Sequence, residues 1–183
     1  NADKEREHLN SIFVGSTDMV NDVKARITEN GISLDRLRKD GVLAIEMILS
    51  ASPEYFEITG YSNGNLQVKD PEKATQWVDK TKTWLQDEYG KNLVTVHLHL
   101  DETTPHFHAI IVPIVAVPQE KQKTIEGITQ VGKLNCKHYL GGRYKLIAMQ
   151  DSYANAVAEL GIERGLRGSK DKNVPAKKYN AIK

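Results

Sequence analysis

The chain has 183 residues, 39% hydrophobic and 27% charged, a length and balance that suit one soluble globular domain and exclude disordered, collagen-like and membrane-embedded classes. Its single cysteine, Cys136, excludes an internal disulfide and a cysteine-rich zinc finger, so any metal must be held by histidine and carboxylate, and a reducing, cytoplasmic setting is expected. The net charge of +1 conceals an asymmetry: residues 132–183 carry eleven Lys/Arg against four Asp/Glu, an excess that suits contact with phosphates.

In chain order, residues 8–14 read as a short strand. Thr17 or Asp18 then caps a helix in which Met19, Val20, Val23 and Ile27 fall at helical spacing, and Gly31 ends it. Residues 33–39 read as a second short helix. Residues 42–50 read as a strand whose near-continuous apolar character predicts burial on both faces. The longest apolar stretches, 42–49 and 109–117, are too short to span a bilayer, so no membrane contact is expected. Pro53 opens a helical turn carrying Tyr55 and Phe56. Asp70-Pro71-Glu72 supplies the N-cap, N1 proline and acidic first turn of a longer helix, with Trp77, Trp84 and Leu85 on its buried face and Gly90 as its stop.

Strands at 93–101 and 106–114 follow, joined by Glu102-Thr-Thr-Pro105. A hairpin is expected over 115–130. A last helix over 142–160 places Leu146, Ile147, Met149, Ala154, Val157 and Leu160 on an apolar stripe, with Gly161 as its C-cap. Strands and helices mixed in this way predict an α+β fold, an antiparallel sheet with helices packed mainly on one side.

The joined strands carry the chemistry. Side chains alternate across a strand, so Val94, Val96, Leu98 and Leu100 should share one face, and Thr95, His97, His99 and Asp101 the other. On the second strand His106, His108, Ile110 and Val112 project together. If the strands pair as antiparallel neighbours, His99 meets His106 and His108 across the ladder. Three imidazoles on one face are a metal cage that leaves coordination positions open for a substrate oxygen. Four of the six histidines fall between residues 97 and 108, which sets this run apart from a solitary strand histidine. His97 sits one pleat away and suits contact with a ligand histidine or with substrate, as does Asp101. Asp101 and Glu102 stand where either can complete the coordination shell, orient an imidazole or move a proton.

The run His99-Leu-Asp-Glu-Thr-Thr-Pro-His106-Phe-His108 resembles the signature of the Mob/Pre plasmid mobilisation relaxases, the MobV group of HUH endonucleases. Arg6-Glu-His8-Leu9-Asn10 is similar to that family's R-x-H-L-N element, and the stretch from Leu160 through Glu163-Arg164-Gly165 to Gly168-Ser169 to its L-x-x-E-R-G-x-x-G-S element. The resemblance implies a five-stranded antiparallel sheet with flanking helices, whose first strand this chain is expected to lack. It implies a relaxase catalytic domain over 1–166, incomplete at its N-terminus, and a basic linker over 167–183 toward a further C-terminal region that relatives use for dimerisation.

It further implies metal-dependent nicking of one DNA strand at a plasmid or mobile-element origin of transfer, by transesterification through a covalent 5′-phosphoryl intermediate. His99, His106 and His108 would be the ligands of one Mn²⁺ or Mg²⁺, with Glu102 completing or tuning the site. On affinity alone three imidazoles also suit Zn²⁺ or Ni²⁺. The nucleophile in such enzymes lies upstream of the R-x-H-L-N element, so it is expected before Asn1. Tyr139 and Tyr144 are the fallback candidates, and Tyr153 reads as core. Single-stranded or hairpin DNA would be gripped by Arg6, Lys133, Lys137, Arg143, Lys145, Arg164, Arg167, Lys170 and Lys172. The chain departs from the family after Gly168-Ser169, where Asp171 and Asn173 replace an A-x-H. Two rival readings are a metal-binding, DNA-binding fragment without nicking chemistry, and a cupin-like metalloenzyme suggested by His97-x-His99 near Glu102.

Overall fold

The computed structural model describes residues 4–62 and 65–168. After a 3-10 turn (Lys4–Leu9), the elements are β1 (Ser11–Val14), α1 (Met19–Glu29), β2 (Ile45–Ser50), α2 (Pro53–Phe56), β3 (Ile58–Ser62), β4 (Asn65–Val68) and α3 (Pro71–Tyr89). There follow β5 (Leu93–His99), β6 (His106–Ile111), β7 (Ile114–Ala116), β8 (Lys123–Ile125), β9 (Ile128–Gln130), β10 (Gly132–Leu134), α4 (Cys136–Leu140) and α5 (Arg143–Val157).

The central sheet runs β1-β5-β6-β2, antiparallel throughout. Among the described residues it has four strands, one fewer than the resemblance implies. One face is closed by α3 and α5, whose Trp77, Trp84, Leu85 and Val157 bury against Leu49, Leu98, Phe107, Ala109 and Ile111. This is the α+β architecture expected, and it rules out the jelly roll that a cupin-like enzyme needs. Local chemistry accounts for the helix boundaries. The side chains of Asp18, Ser52 and Asp70 accept from the backbone N–H groups of Asn21, Tyr55 and Lys73, and Pro53 and Pro71 occupy first-turn positions. At the other end, Gly90 leaves α3 with φ +48°, and Gly161 closes the 3-10 turn that follows α5 with φ +76°.

Several expectations are corrected. Strand β2 is not buried on both faces: Ile45, Met47 and Leu49 turn to the helices while Glu46, Ile48 and Ser50 are exposed, because β2 is an edge strand and α3 and α5 cover only one side of it. The second short helix reduces to one 3-10 turn, Leu34–Arg36. Met19 and Val20 are exposed on α1, which buries Ile27. In β5 the register skips between Leu93 and Thr95. Val94 therefore leaves the face of Val96 and Leu98 and packs with Ile27, Val112 and Ile114 in a second cluster. Val112 lies past the end of β6 in that same cluster. Leu146 is exposed, and α5 packs through Met149, Tyr153, Ala156 and Val157, about one turn apart.

The hairpin expected over 115–130 is two pairings: β8 with β9, and β7 with β10. The β3–β4 hairpin and α4 had no strong periodic signal. Among the described residues no helix is long and apolar enough to cross a membrane.

Candidate metal centre

Strands β5 and β6 place His99 opposite His106 and His97 opposite His108. Directly opposed residues point to the same side of a sheet, so all four imidazoles lie on the face that α3 and α5 do not cover. His99, His106 and His108 each bring a ring nitrogen to within 4.8 Å of the others. Their ring centroids are 4.8 to 5.3 Å apart. Among the described residues this is the one group of His, Cys, Asp or Glu with the geometry to hold a metal ion.

Two of the three rings are set by an oxygen acceptor. His106 Nδ1 donates to the Thr104 carbonyl at 2.9 Å, and His108 Nδ1 to a Glu46 carboxylate oxygen at 2.8 Å. With Nδ1 protonated in both, Nε2 carries the lone pair and is free to ligate, the arrangement that ligand histidines adopt in metal sites. Asp101 is buried, and its Oδ1 lacks a hydrogen-bond partner while lying 3.9 Å from His99 Nδ1. That buried, unsatisfied carboxylate oxygen stands beside the third ring without a hydrogen bond to it. Burial, with the neighbouring His108 and His106 rings, lowers the His99 pKa below its ordinary 6.5, which favours the neutral, ligating form. The donor set fits a divalent ion.

The link between the strands is tied down. Ser50 on β2 donates to the Pro105 carbonyl at 2.7 Å, and the Asn10 side chain accepts from the Leu100 N–H at 2.9 Å. Asn10, the last residue of the R-x-H-L-N element, thus pins the cage end of β5. Glu46 and Asn10 are the neighbours of the cluster that sequence reasoning missed. Glu46 left one signal, a lone carboxylate inside an apolar strand, and the two-sided burial assigned to that strand obscured it. Glu102 lies half-buried in the link and acts electrostatically on His99, without joining the grouped nitrogens. His97 is turned away and donates through Nε2 to the Ser16 carbonyl at 3.1 Å.

The tyrosines and cations are elsewhere. The Tyr139 hydroxyl accepts from Asn92 Nδ2 and donates to the Ile114 carbonyl, at the opposite end of β5 from His99. Tyr144 is 86% exposed on the first turn of α5, in the helix layer behind the sheet. Tyr153 is held by Trp77 and Thr81. The structure therefore brings none of the three to the cage. Lys133 and Lys137 line an open groove between the 33–42 loop and the β8–β9 hairpin. Arg143 is exposed at the start of α5, and Lys145 donates to the His138 carbonyl. Arg164 and Arg167 both bind Asp151, which folds the E-R-G segment back onto α5. Arg6 lies in the first 3-10 turn, and Lys170 and Lys172 lie outside the described residues.

Comparison with known proteins agrees with the fold. The relaxase domain of MobM, in a Mn-bound crystal structure with 22 nucleotides of plasmid pMV158 oriT DNA, matches with a TM-score of 0.71 at 24% identity, over 100% of this chain and 84% of that one. A "65 kDa protein" of Zymomonas mobilis subsp. mobilis is 36% identical over 93% of this chain and 26% of its own length. A plasmid recombination enzyme of a Bacillus species is 28% identical over 97% of this chain and 38% of its own. The chain thus spans well under half the length of these two relatives. The model of the plasmid recombination enzyme family, Mob_Pre, matches residues 1–181, and the chain belongs to that family.

Proposed function

We propose that this chain is the metal-binding, DNA-gripping domain of a relaxase, which nicks one strand at an origin of transfer by transesterification and leaves the 5′ phosphate covalently on the protein. The observation that carries this reading is the three-histidine cluster on the open sheet face, with its ring tautomers set for ligation, in a chain of the plasmid recombination enzyme family. His99, His106 and His108 would hold one divalent ion. Mn²⁺ is assigned by analogy with the Mn-bound MobM domain and Mg²⁺ by the family resemblance, and Zn²⁺ or Ni²⁺ can occupy the same nitrogens. When bound, such an ion supplies positive charge against the oxygens of the scissile phosphate.

The chain's own residues set that charge in place. Glu46 orients the His108 imidazole and Asp101 stands beside that of His99, Glu102 tunes the cluster or moves a proton, and His97, opposite His108, is tied to the Ser16 carbonyl. Lys133, Lys137, Arg143, Lys145, Arg167 and Arg6, with Lys170 and Lys172, contact the backbone of single-stranded or hairpin DNA, and Arg164 contributes through its clasp on Asp151. Residues 1–166 form the catalytic domain and 167–183 a basic linker in a cytoplasmic protein whose full-length form is a homodimer. By the family resemblance the attacking side chain is assigned upstream of the R-x-H-L-N element, and Tyr139 and Tyr144 lie behind the sheet.

The test uses supercoiled plasmid carrying the element's own origin, with Mn²⁺, and two forms of the protein: this chain, and one extended by the residues its gene encodes upstream. Nicking is expected from the extended form alone. Nicking by this chain would place the attacking group within residues 1–183. A second reading, a metal- and DNA-binding module without nicking chemistry, is favoured by the placement of the two tyrosines and predicts no nicking by either form.

A further inference from the structure

Two exposed isoleucines stand in one row with the histidines. Ile12 on β1 is opposite His97, His97 is opposite His108, and His108 is opposite Ile48 on β2. The row therefore crosses the whole sheet on the cage face, in the order Ile12, His97, His108, Ile48. With strands about 4.8 Å apart, its ends are separated by roughly 14 Å, and Ile48 lies one strand from a ligand histidine. Ile12 is 45% exposed and Ile48 65% exposed. Neither packs into a core cluster. A single surface isoleucine needs no explanation. Two that close both ends of a row running through a metal cage are a different matter.

We infer that Ile12 and Ile48 form an apolar platform on which the nucleobases flanking the gripped phosphate rest. The inference builds on the proposed relaxase function and names the part of the substrate that the cage itself cannot hold. A single strand with one phosphate at the cage must lay its neighbouring bases along the sheet to either side. Each base offers a flat apolar face that is costly to leave in water, and unpaired bases rest on apolar or aromatic side chains in a sequence-tolerant way. The two sec-butyl groups supply such surfaces where the bases arrive, and the charged Glu46, beside Ile48 on β2, is already occupied by His108. The contact positions the strand and leaves the choice of origin to other groups, with a preference for thymine through its methyl group.

The test compares a single-stranded dT 12-mer with an abasic 12-mer of the same charge, each measured by fluorescence anisotropy with the full chain and Mn²⁺. The wild type should bind the dT 12-mer more tightly. Ile12→Ala and Ile48→Ala should each weaken that binding about fivefold and leave the abasic probe unchanged. Ile48→Val, which keeps most of the apolar surface, should stay within about twofold of wild type. Mn²⁺ affinity and thermal midpoint should not move, since both side chains are exposed. Unchanged dT binding in both alanine variants, or equal losses on the two probes, overturns the platform alone. A wild type that binds neither probe in a Mn²⁺-dependent way overturns the relaxase reading, and the platform with it.

Discussion

Two consecutive rows of the same four strands behave as different materials. The row Ser11, Leu98, Phe107, Leu49 turns toward α3 and α5, and its three apolar members are buried. Phe107 stacks obliquely on Trp77 with ring centroids 5.2 Å apart, and Trp77 meets Phe56 edge-on at 5.0 Å. One residue along each strand, the row Ile12, His97, His108, Ile48 faces outward with imidazoles at its centre and exposed isoleucines at its ends. The backbone is shared, so the stiff, dry side holds the strands at fixed spacing. The open side can then present ligands without having to hold the fold together.

That division is broken most severely from behind. Phe107→Ala should cost about 3–5 kcal/mol of stability, because a fully buried ring leaves a cavity between β6 and α3. Urea unfolding measures this; a loss below about 1 kcal/mol would mean that the rear face is not the stabilising one. From the front the effect should fall on metal and spare the fold. His106→Ala or His108→Ala should lower Mn²⁺ affinity by more than about 100-fold, a loss above that of an orienting partner, with the unfolding midpoint of the metal-free protein little changed. Calorimetric titration decides it, and unchanged binding would remove the cage.

A smaller effect sharpens the boundary between ligand and support. Glu46→Ala should weaken Mn²⁺ binding about tenfold, roughly 1.4 kcal/mol, by releasing His108 Nδ1. Glu46→Gln, which keeps an oxygen acceptor, should recover part of the loss. Equal losses in both variants would show that charge rather than orientation matters. The gentlest probe is pH. Because the folded state lowers the His99 pKa below 6.5, the unfolded chain takes up that proton first as pH falls. The stability of the metal-free protein should therefore be full above pH 6.5 and decline as pH drops through that value toward the lower folded one. Mn²⁺ affinity should fall over the same interval as protons compete for the ring nitrogens. His99→Gln should flatten this dependence of stability.

Where the chain carried a strong local signal, its structure was legible. Asp70-Pro71 and Gly90 bounded α3 because caps and a first-turn proline act within a few residues. The three clustered histidines were legible for the same reason: strand alternation and a short link place them on one face whatever packs behind. Contacts across distant strands were not. Glu46 reaches His108 across a gap of 62 residues, and Asn10 holds Leu100 across 90.

Side-chain chemistry repeated at the strand period was enough to determine that this protein carries a three-histidine cage and an α+β fold around it. Tertiary structure alone decided which face of β2 met water, where β5 skipped a residue so that Val94 changed sides, and that the tyrosines stand behind the sheet. Those outcomes depend on which strand lies at the edge and which side the helices cover. Such choices are made by the summed burial of the whole chain, and no short stretch of sequence encodes them.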